Sequence, residues 1–156
     1  MLAIIWHSRT GAARKMARAA SEGASSNVLI RAEMVSPDDL ITADGYLFIC
    51  PENLGSITGE MKEMFDRCYY PVLGQIEGRP YATAIVAGSD GSGALRQIDR
   101  IVTGWRLRRV AEPLIVNLAA QTPEAILASK SVPALQLEQC KNLGEAMCEG
   151  LRLGVF

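Results

Sequence analysis

Five short apolar runs separated by helix-patterned segments restrict the fold of this chain more than anything else in it: Leu2 to Trp6, Val28 to Ala32, Gly45 to Cys50, Tyr81 to Ala87 and Leu114 to Leu118. The runs are near-continuously apolar instead of alternating, as parallel strands covered on both faces are. Between them, Ala13, Met16, Ala17 and Ala20 share one helical face. So do Ile57, Met61, Met64, Phe65 and Cys68, then Leu95, Ile98, Val102 and Trp105, and last Cys140, Leu143, Met147 and Leu151. Ser36-Pro37 predicts one more short helix, with Ser36 as its cap and Pro37 at its first position. Strand and helix in alternation call for right-handed βαβ crossovers, hence a doubly wound α/β sheet with helices on both faces. At 156 residues, 49% apolar and 21% charged, the chain reads as a single domain over residues 1–156 whose core needs neither disulfide nor metal.

Two strand orders suit five such strands. The dinucleotide-binding order requires G-x-G-x-x-G after the first strand, and Ser8-Arg9-Thr10-Gly11-Ala12-Ala13 does not supply it. The order 2-1-3-4-5 places a ligand outside the carboxyl ends of the first, third and fourth strands, so the turns there should be unusual. The first brings two hydroxyls and a glycine to a helix start, where unpaired N–H groups and the peptide dipoles attract an anion, and Arg9 or Arg14 adds charge. In the second, Pro51-Glu52-Asn53-Leu54-Gly55-Ser56, Pro51 is expected to stop the strand, Gly55 to permit a sharp turn and Ser56 to cap a helix starting at Ile57. The third, Gly88-Ser89-Asp90-Gly91-Ser92-Gly93, offers backbone donors and acceptors with little steric cover to the polar edge of a flat ligand. The first turn alone reads equally well as an ordinary cap, and either of the other two alone reads better as a flexible turn. Three on one rim point to a site.

Ser8-Arg9-Thr10-Gly11 resembles the FMN-phosphate loop of flavodoxin-like proteins. The stretch from Pro51 through Ser56 to Gly59-Glu60-Met61-Lys62 resembles the flavin-ring loop and following helix of NAD(P)H-dependent FMN and quinone reductases, and the likeness continues through Met64-Phe65-Asp66-Arg67 and Gly78-Arg79-Pro80. The resemblance implies a flavodoxin-like three-layer sandwich around a five-stranded parallel sheet of order 2-1-3-4-5. It implies FMN with its phosphate at Ser8, Arg9, Thr10, Gly11, Ala12 and Ala13, and its ring between Pro51 to Ser56 and Gly88, Ser89, Asp90 and Gly91. Further, it implies hydride from NADH or NADPH passed at the flavin to a small-molecule acceptor such as a quinone, nitro compound or second flavin, in a homodimer or homotetramer. An electron-transfer flavodoxin that binds FMN without oxidising pyridine nucleotide is the alternative. The chain departs from the family pattern at Ala13, where a phosphate-loop hydroxyl is common, and at Glu52-Asn53-Leu54, where the reductases commonly carry a small hydroxyl residue, an arginine and an aromatic. Glu52 therefore either places a carboxylate beside the ring or points to solvent.

A net charge of −1 speaks against nucleic acid as the partner. No basic leader precedes the first strand and no apolar stretch is long enough to span a bilayer, so a cytoplasmic protein without membrane insertion is expected. Cys50, Cys68, Cys140 and Cys148 lack metal-site spacing and read as buried filler. Arg96, Arg100, Arg106, Arg108 and Arg109 read as a solvated face with local pairing before a nucleotide-phosphate site. His7, beside Ser8, has no acidic partner in a recognisable motif. Residues 119–132 are long for a connection, with Thr122-Pro123 as a helix start, and suit a lid or an oligomer contact.

Overall fold

In a computed structural model that describes all 156 residues, the chain runs β1 (Leu2–Trp6), α1 (Ala12–Gly23), β2 (Asn27–Arg31), a 3-10 turn (Ala32–Met34), α2 (Pro37–Thr42), β3 (Gly45–Asn53) and β4 (Ser56–Ile57). It continues through α3 (Gly59–Val72), β5 (Pro80–Ala87), α4 (Ser92–Gly104), β6 (Arg108–Arg109), β7 (Leu114–Asn117), α5 (Pro123–Leu127) and α6 (Ala134–Leu153). The sheet order is β2-β1-β3-β5, with β6 and β7 both on the outer edge of β5 and every main pairing parallel. Counted as five lanes this is 2-1-3-4-5, the flavodoxin-like order.

The fifth lane is broken. β6 pairs Pro80 with Arg108 and Tyr81 with Arg109, whereas β7 pairs Ala84 with Leu114. Residues 110–113 thus lie opposite only Ala82 and Thr83, a bulge at which Pro113 is tolerated because edge strands can forgo a ladder hydrogen bond. The second strand is the edge that this order requires, but it is not covered on both faces as its apolar run suggested: Val28 and Ile30 are only partly covered and Leu29 is exposed.

Successive strand residues divide between two cores, as the period of two requires. Ile5, Tyr46, Phe48, Tyr81 and Ile85 meet Met61, Met64, Phe65, Ile98 and Trp105 of α3 and α4. Ile4, Leu47, Ile49, Ala84 and Val86 meet α1 and α6 through Ala13, Met16, Ala17, Cys140 and Met147. Small residues bring those two helices close: a methyl group on Gly144 would lie 2.0 Å from the Ala20 carbonyl oxygen. Ser36 and Asp39 form the reciprocal capping box of α2.

Two arginines of the family-like stretches serve this frame. Arg79 donates to the Leu40, Ile41 and Ala43 carbonyls at the end of α2 and to the Tyr46 hydroxyl. Arg67 donates to the Ala32 and Val35 carbonyls and pairs with Glu63. All four cysteines are unpaired and buried. Burial pushes the Cys50 and Cys140 thiols up to about 12, so both stay protonated at neutral pH. No helix is long and apolar enough to cross a membrane.

Candidate functional site

At the carboxyl end of β1 the turn into α1 hinges on Gly11, whose φ of 98° favours glycine. The Ser8 hydroxyl accepts the Gly11 N–H at 3.1 Å, which leaves its own proton free to donate. No side chain caps α1 and no acidic residue lies in its first turn, so its amide end is open to an anion. It faces a polar cavity of about 430 Å³ that includes Ser8, Arg9, Thr10, Gly11 and Arg14.

The second loop is a hairpin, which corrects two expectations. Pro51 does not stop the strand: it pairs with Val86, and β3 runs on to Asn53. Ile49 accepts from His7, so the backbone of Pro51, two residues on, faces the same side, where β1 has already ended and no donor is needed. Nor does Ser56 cap a helix at Ile57. It pairs with Asn53 in the hairpin, its hydroxyl donates to the Ile57 carbonyl, and α3 starts at Gly59. Leu54 and Gly55 turn the hairpin at φ 52° and 75°, the doubly positive geometry of a tight two-residue turn, and leave Leu54 98% exposed at its tip.

Glu52 neither adds a free carboxylate to the rim nor points to solvent. Its Oε1 accepts the Gly91 N–H at 2.9 Å and its Oε2 the Ala94 N–H at 3.0 Å, so it caps α4 from across the site. The Ile57 N–H adds a bond to Gln97 at 2.9 Å. Gly93 is required there, because a Cβ would lie 2.1 Å from the Gly55 carbonyl oxygen. Two helix amino termini therefore meet this rim, one neutralised by Glu52 and one open.

The hairpin and the third loop bound a second, more apolar cavity of about 370 Å³ lined by residues 51–55, 86–89, Leu118 and Ala120. Its remaining wall is the strap that carries α5: Ile126 and Leu127 line it, with Lys130. Thr122 caps α5 through the Ala125 N–H, as the Thr-Pro pair predicts. The strap is tied to the first loop, since the Lys130 N–H donates to the Thr10 carbonyl at 2.9 Å and Lys15 Nζ to the Lys130 carbonyl at 2.5 Å. Arg9, Thr10 and Leu127 line both cavities and make them neighbours.

Of the expected residues, Ser8 to Ala12, Pro51 to Gly55, Gly88 and Ser89 line the two cavities. Four do not. Ala13 is buried against the sheet, Ser56 is in the hairpin, Asp90 accepts from the Ser92 hydroxyl and amide, and the Gly91 amide is held by Glu52. The Ser92 bonds hold the Asp90 carboxyl below its usual range. Trp6, Arg31, Ser129 and the strap residues Ile126 and Leu127 line the cavities without having been singled out. The signal for the strap was its length; for Arg31 it was the strand order, which sets the end of β2 beside that of β1. The arginines after α4 stay away from both cavities: Arg109 pairs with Asp99 beside Tyr81, and Arg106 with Glu77 at 3.3 Å.

His7 is buried behind the first loop, its Nδ1 3.0 Å from the Thr58 hydroxyl and its Nε2 3.6 Å from Glu60, whose Oε2 also lies 3.5 Å from Arg9. Burial pulls its pKa below the ordinary value against the opposing pull of Glu60.

The profile of the family described as NADPH-dependent FMN reductase matches residues 37–119, just over half of the chain, including the second and third loops but not the first. A flavodoxin of Aquifex aeolicus is 32% identical over 95 residues, 58% of this chain and 51% of the relative, so the match spans about half of that protein's length. Among solved structures, a flavodoxin from the domain Archaea superposes with a TM-score of 0.77 at 18% identity, covering 97% of this chain and 99% of the other. The flavodoxin-like WrbA-like protein from Agrobacterium tumefaciens gives 0.74 at 18% identity, with 97% of each chain covered. At that identity the two structures speak for the fold.

Proposed function

The chain belongs to the NADPH-dependent FMN reductase family, and from that premise we propose that it binds FMN across the two neighbouring cavities and transfers electrons from NADPH or NADH to a small-molecule acceptor such as a quinone, a nitro compound or a free flavin. The observation that carries this reading is the junction at Arg9, Thr10 and Leu127, where a polar cavity at an open helix terminus adjoins an apolar one. The donor set fits a flavin mononucleotide. The α1 amides with the Ser8 and Thr10 hydroxyls would hold the phosphate, and Arg9 adds charge at the junction. Ala13 offers no hydroxyl, a difference of about 1 kcal/mol for one neutral hydrogen bond. Pro51 to Gly55 and Gly88 to Ser89 would flank the ring, with Leu54, Ile126 and Leu127 excluding water from it.

When bound, the flavin supplies the hydride and electron chemistry, and the protein positions it and leaves one face open. Glu52 ties the hairpin to the amino terminus of α4, the helix that follows the third loop. The test is to add FMN to the purified protein, remove free flavin, record the bound flavin spectrum, and follow the oxidation of NADPH and of NADH with a quinone. Retained FMN and acceptor-dependent oxidation of NADPH or NADH are expected. Failure to retain FMN overturns the reading. FMN retained without oxidation of NADPH or NADH identifies an electron carrier, the alternative that the likeness to a flavodoxin supports.

A further inference from the structure

A mononucleotide placed as above ends at its phosphate, but the polar cavity does not end there. From the first loop it continues past Trp6, at the end of β1, to Arg31 at the end of the neighbouring strand β2, with Arg14 and Ser129 also on its walls. Three guanidiniums, Arg9, Arg14 and Arg31, line a space beside a helix terminus that already serves one phosphate. Arg14 forms no ion pair in the fold, while Arg31 pairs with Glu33 at 2.6 Å and lies over the Trp6 ring, 5.9 Å from its centre. An indole with a guanidinium on it is a flat, cationic surface of the kind on which a purine stacks. Charge for a second phosphate and a platform for a base thus sit next to each other, on the side of the phosphate loop away from the apolar cavity.

We propose that this part of the cavity binds an adenosine phosphate group, the portion of a dinucleotide that lies beyond its first phosphate. The inference rests on the reading of the first loop as the flavin-phosphate site. Two dinucleotides carry the group: FAD, as the resident flavin in place of FMN, and NADPH, as the reductant. The ligand chemistry is the same for both.

Calorimetric titration of the flavin-free protein compares FMN with FAD, and tryptophan fluorescence follows AMP and adenosine 2′,5′-bisphosphate added to the flavin-free and FMN-loaded protein. Trp6 is partly exposed in the cavity and Trp105 is fully buried, so a change reports Trp6, and Trp6→Phe should abolish it. If FAD is the source, FAD binds about tenfold or more tighter than FMN and AMP changes the fluorescence of the flavin-free protein. If NADPH is the source, FAD and FMN bind alike, and the bisphosphate binds the FMN-loaded protein in competition with NADPH. In either case Arg31→Ala weakens the adenosine ligand about tenfold while FMN affinity is kept. Equal affinities for FMN and FAD, with no response to either adenosine phosphate, overturn the proposal. A response to AMP in a protein that takes neither flavin leaves the adenosine site standing and removes the flavin reading.

Discussion

At the scale of single residues, His7 shows how burial sets the cost of a proton at this rim. It is the chain's one histidine, and its acidic neighbour Glu60 is too far along the chain for a sequence motif to reveal. Desolvation lowers its pKa from the ordinary 6.5, helped by Arg9 and Arg31 and opposed by Glu60 and Glu33. The folded protein thus takes up this proton at lower pH than the unfolded chain does. Between the ordinary value and the depressed one the unfolded chain binds more protons, so stability falls as pH drops below about 6.5. His7→Gln keeps a hydrogen-bonding side chain toward Thr58 and removes the titration. Urea unfolding should show the native protein losing stability relative to the variant as pH falls from 6.5 toward 5. Parallel pH profiles would show that His7 carries none of the dependence.

At the scale of elements, the decisive junction joins the β3–β4 hairpin to α4. Glu52 supplies both acceptors that the first turn of α4 receives from the hairpin, and Gln97 answers from the helix to Ile57. Glu52→Ala leaves the Gly91 and Ala94 amides without that cap and should cost about 1–3 kcal/mol, read as a lower urea midpoint at unchanged m-value. The same variant should weaken FMN binding, because both walls of the apolar cavity then lose their mutual anchor. An unchanged midpoint would mean that water replaces the carboxylate at no cost. This hairpin was hidden in the sequence for physical reasons. Its turn is Leu54-Gly55 and carries no Asn-Gly signal, and Pro51 reads as a stop unless the early end of β1 is known. The carboxylate of Glu52 was visible, but its partners lie 39 and 42 residues away. By contrast, the Ser36 and Thr122 caps were legible because each bond spans three residues.

At the scale of the whole molecule, topology was the most legible property, since apolar runs and helical stripes are summed over many residues and one misplaced end does not alter the order. Where the runs end and how far they are covered is decided by neighbours, and so β2 is only half covered and the last strand splits around residues 110–113. The candidate site belongs to this scale as well. Its walls come from three strand-to-helix junctions and the strap before α6, which meet only when the whole sheet is formed. A ligand that bridges them binds the folded chain and not the unfolded one, so its binding energy adds to global stability. FMN at 100 times its dissociation constant should contribute about 2.7 kcal/mol. For a chain of this size that corresponds to a rise of about 5–11 °C in Tm. Hydrogen exchange read with and without FMN should show slowed amides in all three loops and around α5 together, since the strap is bonded to Thr10. Slowing confined to residues 8–13 at the same occupancy would mean that FMN is held by its phosphate alone and that the apolar cavity serves another ligand.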